Sequence, residues 1–262
     1  MGTEVLTTGW EPGVPAGDTI TRRFVLAYAD RITAMATRTG GRQKWVDGAR
    51  MADLRSPFGY DNAVVLTRPL AESEWPGVVE AADAFFPPSR WWVVLSVFPT
   101  PDLTGHGLVR VGHPPLMLRP PGPVPPSSVP GLEVRRVDDP AALADFRTVL
   151  VAAYGLAGVG APAVADPALA ASLLHLRVGY ADGVPVATAG AAVHHGIVEV
   201  DWVATMPGVR RRGYGAAVTS AVVDVAPELP SVLIASDDGH GVYRRLGYLD
   251  LFRTTMWEHP PS

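Results

Sequence analysis

The 262-residue chain contains no cysteine. That absence removes disulfide frameworks, thiol nucleophiles and cysteine-built zinc sites from the possible chemistries. Lysine is almost missing too: Lys44 is the only one, so the basic charge is nearly all arginine. A phosphate-binding loop of the form Gly-x-x-x-x-Gly-Lys-Ser/Thr is absent. No apolar run approaches the roughly 20 residues that cross a bilayer. The start, Met1-Gly2-Thr3-Glu4-Val5, lacks the basic and apolar regions of a secretory signal. A cytoplasmic location without a membrane partner is therefore expected. Strong charge of one sign is also lacking, and a formal net charge of −4 argues against a general nucleic-acid binder.

What remains is globular in character. Hydrophobic residues make up 47% and charged residues 18%, enough apolar surface to close a core. Residues 119–131 read Arg-Pro-Pro-Gly-Pro-Val-Pro-Pro-Ser-Ser-Val-Pro-Gly. Proline fixes φ and removes donors, so this segment is expected to be an extended spacer. It divides a smaller α/β lobe at 1–118 from a second domain at 132–262.

In the first lobe, Thr21 to Thr39 has helical apolar spacing and Gly40-Gly41 ends it. Strands are expected at 62–68 and 91–98, with a helix between them capped at Ser73 and stopped before Pro87-Pro88. Weaker strands are read at 108–111 and 116–118. In the second, a strand at 132–137 precedes helices at 140–154 and 167–176. Strands at 176–180 and 184–193 flank the hairpin signal Asp182-Gly183. A strand at 197–205 follows the His195-Gly196 turn. A helix at 214–225, a strand at 232–235, a helix at 240–246 and a last strand or hairpin at 248–258 complete the chain.

The most informative stretch joins the strand ending at Thr205 to the helix beginning at Tyr214, through Arg210-Arg211-Arg212-Gly213-Tyr214-Gly215-Ala216. The first amides of a helix have no intrahelical acceptor and carry partial positive charge, so they suit an anion. Gly213 and Gly215 allow a sharp bend and close backbone approach. The three arginines add full charge. A dinucleotide fingerprint is a poor match, because Val218 stands at the third glycine position. A plain strand–helix connection is the bland alternative.

These motifs resemble the GNAT superfamily of acyl-CoA-dependent N-acyltransferases. The family's Arg/Gln-x-x-Gly-x-Gly/Ala turn matches Arg210 to Gly215, its preceding strand with a proline near the bend matches Val203 to Pro207, and its late Tyr-x-x-x-Gly-Phe/Tyr element matches Tyr243 to Tyr248. The resemblance covers about 132–258. It implies an α/β (α+β) fold with a central mixed, mostly antiparallel sheet flanked by helices. It implies acetyl-CoA as acyl donor and no metal, with the pyrophosphate on the amides of Arg210, Arg211, Arg212, Gly213, Tyr214, Gly215 and Ala216. The pantetheine arm would run beside Val203 and Thr205, and the Val203 amide would polarise the thioester carbonyl. Ser236 falls where many relatives place a cofactor-contacting asparagine. The first lobe lacks the glycine turn, yet 102–108 and 115–118 resemble the end of such a domain, which would make it a degenerate partner lobe.

Amine acylation requires a neutral amine, a polarised carbonyl and a proton for the departing thiolate. Glu199 and Asp201 share one face of a strand, being two residues apart. The resemblance places the general base at Glu199, with Asp201 as the alternative. Pairing with an arginine such as Arg177, or exposure at a sheet edge, is the purely structural reading. His194 and His195 are weaker base candidates at a hairpin end. Tyr243 matches the family's acid, which also lies at the cofactor, and its structural alternative is aromatic packing. The expected partner is an amine acceptor, a small molecule or a protein, with the chain a monomer or homodimer. A non-catalytic acyl-CoA sensor or protein-interaction module is the alternative function.

Overall fold

The computed structural model describes residues 19–124, 127–170 and 172–261. Residues 1–18 of the first lobe, 125–126 of the spacer and 171 of the expected second helix lie outside them. The first lobe runs α1 (Ile20–Arg38), β1 (Arg42–Val46), β2 (Ala49–Asp53), β3 (Asn62–Leu66), α2 (Trp75–Phe85), β4 (Trp92–Ser96), β5 (Val109–Gly112) and β6 (Pro115–Arg119). The second runs β7 (Leu132–Arg136), α3 (Pro140–Ala153), α4 (Pro167–Ala170), β8 (His175–Ala181), β9 (Val184–His194), β10 (Ile197–Thr205), α5 (Tyr214–Val223), β11 (Ser231–Ile234), α6 (Asp237–Arg245), β12 (Leu249–Arg253) and β13 (Thr255–His259).

Two mixed sheets result, ordered β1-β2-β3-β4-β13-β5 and β12-β6-β11-β10-β9-β8-β7. Each is antiparallel except for one central pair, β3 with β4 and β10 with β11. The lobes exchange their last strands. β6 enters the second sheet between β11 and β12, and β13 enters the first between β4 and β5. The two crossovers touch: the Thr254 amide and hydroxyl both donate to the Pro114 carbonyl, at 3.0 and 2.9 Å. Once each last strand is exchanged, the first lobe repeats the strand order of the second without an equivalent of β7.

Several sequence expectations change at this level. The expected terminal hairpin is two strands committed to different sheets, because Thr254 turns the chain from one to the other. The expected second helix is one short turn at Pro167–Ala170, and the chain is already in β8 at His175. Ser73 does not cap α2. It lies inside a 3-10 turn, Glu72–Glu74, where the Glu74 carboxylate accepts from the Ala71 amide at 2.6 Å. The β1–β2 hairpin was not anticipated, although Asp47-Gly48 marks it.

The lobes share a core. Ala29, Ile32 and Met35 of α1 belong to one buried cluster with Phe146, Val149 and Leu150 of α3 and with Trp202 and Ala204 of β10. Full burial of the Ile, Met, Phe, Val and Leu side chains among these contributes about 1.5–3 kcal/mol each. The contact between lobes is therefore a packed interior. The spacer is tied down as well, since the Gly122 amide donates to the Pro227 carbonyl at 2.8 Å.

Candidate active site

The centre of the second sheet is where β10 leaves its neighbours. It pairs with β11 only at Val198 and Glu199, opposite Ser231 and Val232. Its register with β9 then shifts between Asp201 and Ala204. Trp202 sits in this bulge with φ of +53°, a conformation that is strained for a bulky residue. Two bonds hold the distortion: the Trp202 amide donates to Asp201 Oδ1 at 2.8 Å, and Thr188 Oγ1 donates to the Trp202 carbonyl at 3.1 Å. A bulge bends its strand and re-aims its side chains. Here it opens a slot between β10 and β11.

At the end of β10, α5 begins with Gly213 in the left-handed region at φ +87°, and Arg211 also has positive φ at +64°. The first backbone bond of the helix is from Ala217 to the Gly213 carbonyl, 3.1 Å, so the amides of 214–216 precede the intrahelical ladder. A Cβ at Gly215 would come within 3.2 Å of Thr205 Oγ1. Arg210, Arg211 and Arg212 are exposed around this turn. Arg210 also reaches the Ala153 carbonyl at 3.3 Å.

Beside the slot lies a cavity of about 500 Å³ lined by both lobes. The first supplies Tyr28, Arg31, Phe58, Tyr60 and Asp61. The second supplies Tyr154, Glu199, Asp201, Trp202, Val203, Ser236 and Tyr243. Arg31 of α1 is its hinge residue in charge terms. It donates to Glu199 through Nε at 3.0 Å and Nη2 at 2.7 Å, and to Asp201 Oδ2 through Nη2 at 3.0 Å. Its guanidinium lies 4.7 Å from the ring centroids of both Tyr28 and Trp202. Burial works against the charge on Arg31, but the two carboxylates outweigh it and hold the pKa above its usual range.

The two acids of β10 are therefore in different situations. Glu199 is 2% exposed with both oxygens on Arg31; burial raises its pKa and the arginine opposes the rise. Asp201 has a side chain 40% exposed and reaches the cavity. The partner is Arg31, not Arg177, whose Nη1 donates to the Leu176 carbonyl. Tyr243 is buried against Tyr248, edge-on at 5.8 Å, and burial pushes its pKa upward, which keeps the hydroxyl protonated. Ser236 caps α6, accepting from the Gly239 amide at 3.1 Å, and still lines the cavity. His194 and His195 are at the β9–β10 hairpin end and outside the cavity lining; His195 contacts Asp30 at 2.6 Å.

Sequence reading missed Arg31, Tyr28, Phe58, Tyr60, Asp61 and Tyr154. One signal was visible: Arg31 stands on the apolar face of α1, between Ala27 and Met35 at i±4. An arginine there needs a buried acid.

A strand opened by a bulge, next to a helix entered through glycine and arginine, defines the GNAT fold, and the chain has that fold. The profile of the Acetyltransferase (GNAT) family matches residues 161–248, which takes in β8 to α6. In solved structures, the chain is similar to a GCN5-related N-acetyltransferase from Kribbella flavida, at 24% identity and TM-score 0.72, covering 94% of this chain and 97% of that one. It is similar to a putative GNAT-family acetyltransferase from Novosphingobium aromaticivorans, at 20% identity and TM-score 0.56, covering 89% and 98%. A tandem GNAT protein from the clavulanic acid biosynthesis pathway aligns over 95% and 98% at 14% identity, TM-score 0.53. All three likenesses are of fold. No curated protein matches the chain in sequence.

Proposed function

We propose that the chain is an N-acetyltransferase that transfers an acetyl group from acetyl-CoA to a primary amine in the cavity between the lobes. One observation carries this reading: β10 parts from β11 immediately after Glu199, beside a helix whose first turn opens on Gly213. The residues fit the carrier. The amides of 213–216 and the charges of Arg210, Arg211 and Arg212 suit a pyrophosphate. Thr205, Val203 and Ser236 border the path from that turn to the cavity.

Bound acetyl-CoA would supply the activated acyl group. The chain's part is to place the amine, remove its proton and return one to the sulfur. The new N–C bond replaces the C–S bond, and the products are an amide and a free thiol. We assign proton acceptance to Asp201. Glu199 is closed in by Arg31, whereas Asp201 keeps an exposed side chain at the cavity. Glu199 then serves to position Arg31, and through it Asp201. Tyr243, held protonated by burial, donates to the thiolate. The Val203 amide, beside the bulge, supports the carbonyl oxygen.

Enclosure of Glu199 is also the feature that favours the rival reading, a carrier-binding module without turnover. Thiol release measured over a panel of amines, together with direct CoA titration, separates the two. Transfer to at least one amine, with kcat lost in Asp201→Asn and CoA affinity retained, supports the enzyme. Binding with no transfer to any amine overturns it in favour of the sensor.

A further inference from the structure

The cavity holds a buried carboxyl group that this mechanism does not use. Asp61 closes the 3-10 turn Gly59–Asp61 just ahead of β3 and is 6% exposed. Its Oδ2 accepts from Ser56 Oγ at 2.5 Å and from the Ala163 amide of the second lobe at 2.6 Å. The nearby ion pairs are Arg31 with Glu199 and Asp201, and Arg42 and Arg90 with Asp53; none includes Asp61 among the described residues. A buried carboxylate with no ion-pair partner is costly even when hydrogen-bonded, so such a site favours either a proton or an incoming cation.

The surroundings of Asp61 restrict that cation. Phe58 stacks on Tyr154 at 5.8 Å and 18°, and Tyr60 meets Trp91 edge-on at 5.8 Å and 70°. The backbone between Phe58 and Tyr60 is pressed on Trp91, for a Cβ at Gly59 would fall 2.3 Å from that ring. Phe58 and Tyr60 are thus held in place, and with Tyr28, Tyr154 and Trp202 they line the cavity that contains Asp61. Aromatic faces attract cations and stack on flat apolar groups. A volume of about 500 Å³ falls within the range that encloses small ligands, about 300–1,000 Å³.

We propose that Asp61 anchors the ammonium of the acceptor, and that the acceptor is a small primary amine carried on an aromatic body that stacks within the Tyr28, Phe58, Tyr60 and Tyr154 walls. The transfer step rests on the reading above; the binding step does not. Burial pushes the Asp61 pKa up to about 6, the Ser56 and Ala163 hydrogen bonds oppose this, Asp201 adds to it and Arg31 reduces it. The cavity is also lined by Glu199 on β10, Tyr28 on α1, Tyr60, Tyr154 after α3, Tyr243 and Asp237 on α6, and by His113 and Arg253. Amine binding should accordingly weaken as pH falls through about 6.

The test is calorimetric titration of 2-phenylethylamine, spermidine and a lysine-containing peptide into the full chain, with CoA titrated separately. Expected are at least tenfold tighter binding of 2-phenylethylamine than of the other two, and at least tenfold loss in Asp61→Asn with CoA affinity unchanged. The asparagine oxygen can still accept from Ser56 and Ala163, so the local fold is retained. Tyr60→Leu should reduce the preference for the aromatic amine by a second route. Equal affinity in Asp61→Asn, or preference for spermidine or the peptide in the wild type, overturns the proposal. If CoA fails to bind while the aromatic amine binds through Asp61, the transferase reading falls and this one stands. If thioester turnover occurs but Asp61→Asn keeps its amine affinity, the reverse holds.

Discussion

At the end of β3 the chain enters α2 through 67–74, and at the end of β10 it enters α5 through 206–213; the two passages occupy equivalent places in their sheets. β3 keeps an unbroken five-residue register with β2 and pairs with β4 at Ala63, Val64 and Val65. β10 breaks register at the Trp202 bulge and pairs with β11 at only two positions. The helix entries differ in charge as well. Ahead of α2 the Glu74 carboxylate takes the Ala71 amide, and Arg68 is divided between Glu74 and Asp47 at 2.7 Å each. Ahead of α5 there are glycines and arginines and no acid. In the first lobe an acid stands at the helix entry and takes the Ala71 amide of the 3-10 turn before it; in the second the entry carries no acid. The lesson is that two lobes of the same strand order differ in two local departures, a bulge and an acid-free turn, and it is on these that the proposed carrier binding rests.

The largest expected effect removes the link between lobes. Arg31→Ala leaves Glu199 and Asp201 without a cation, and breaking such a pair costs about 3–5 kcal/mol. Urea denaturation at pH 7 should show that loss, with partial recovery in the Arg31→Ala, Glu199→Gln double variant. An unchanged midpoint would remove Arg31 from the account. Next, Ala216→Glu gives α5 the kind of acid that precedes α2. We expect CoA affinity to fall about 100-fold, or roughly 2.7 kcal/mol, while Glu74→Gln leaves it unchanged. Equal effects of the two variants would erase the distinction between lobes.

Asp61 offers a smaller effect of opposite sign. Its folded pKa of about 6 lies above the unfolded value of 3.8, so the folded state holds the proton more tightly. Its contribution to stability is fully present below the unfolded value and is lost as pH rises through about 6. Asp61→Asn should therefore be more stable than wild type at pH 7, by up to about 3 kcal/mol, and converge with it near pH 3–4. A lower midpoint at pH 7 would contradict this. The smallest change, Tyr243→Phe, should reduce kcat about 10- to 30-fold while CoA affinity holds within twofold. Retained turnover would assign Tyr243 to packing against Tyr248.

Much of the second lobe was legible because its signals are local. Asp182-Gly183 and His195-Gly196 both adopt the double positive φ of tight hairpins, and the Arg210 to Gly215 turn carries its chemistry in adjacent residues. The strand exchange was not legible: nothing between Leu249 and His259 distinguishes a hairpin from two strands in separate sheets, since the choice is made by distant partners at Pro114 and Ser96. The same holds for the site. Glu199 and Asp201 could be read as a pair on one strand, but their arginine lies 168 residues away from Glu199. Asp61 gave no local sign, because its burial is completed by Ala163 of the other lobe.

The stoichiometry of CoA binding to the full chain tests the central claim most directly. Calorimetric titration should give one CoA per chain, weakened about 100-fold by Ala216→Glu and untouched by Glu74→Gln. No binding, or two CoA per chain, would contradict it.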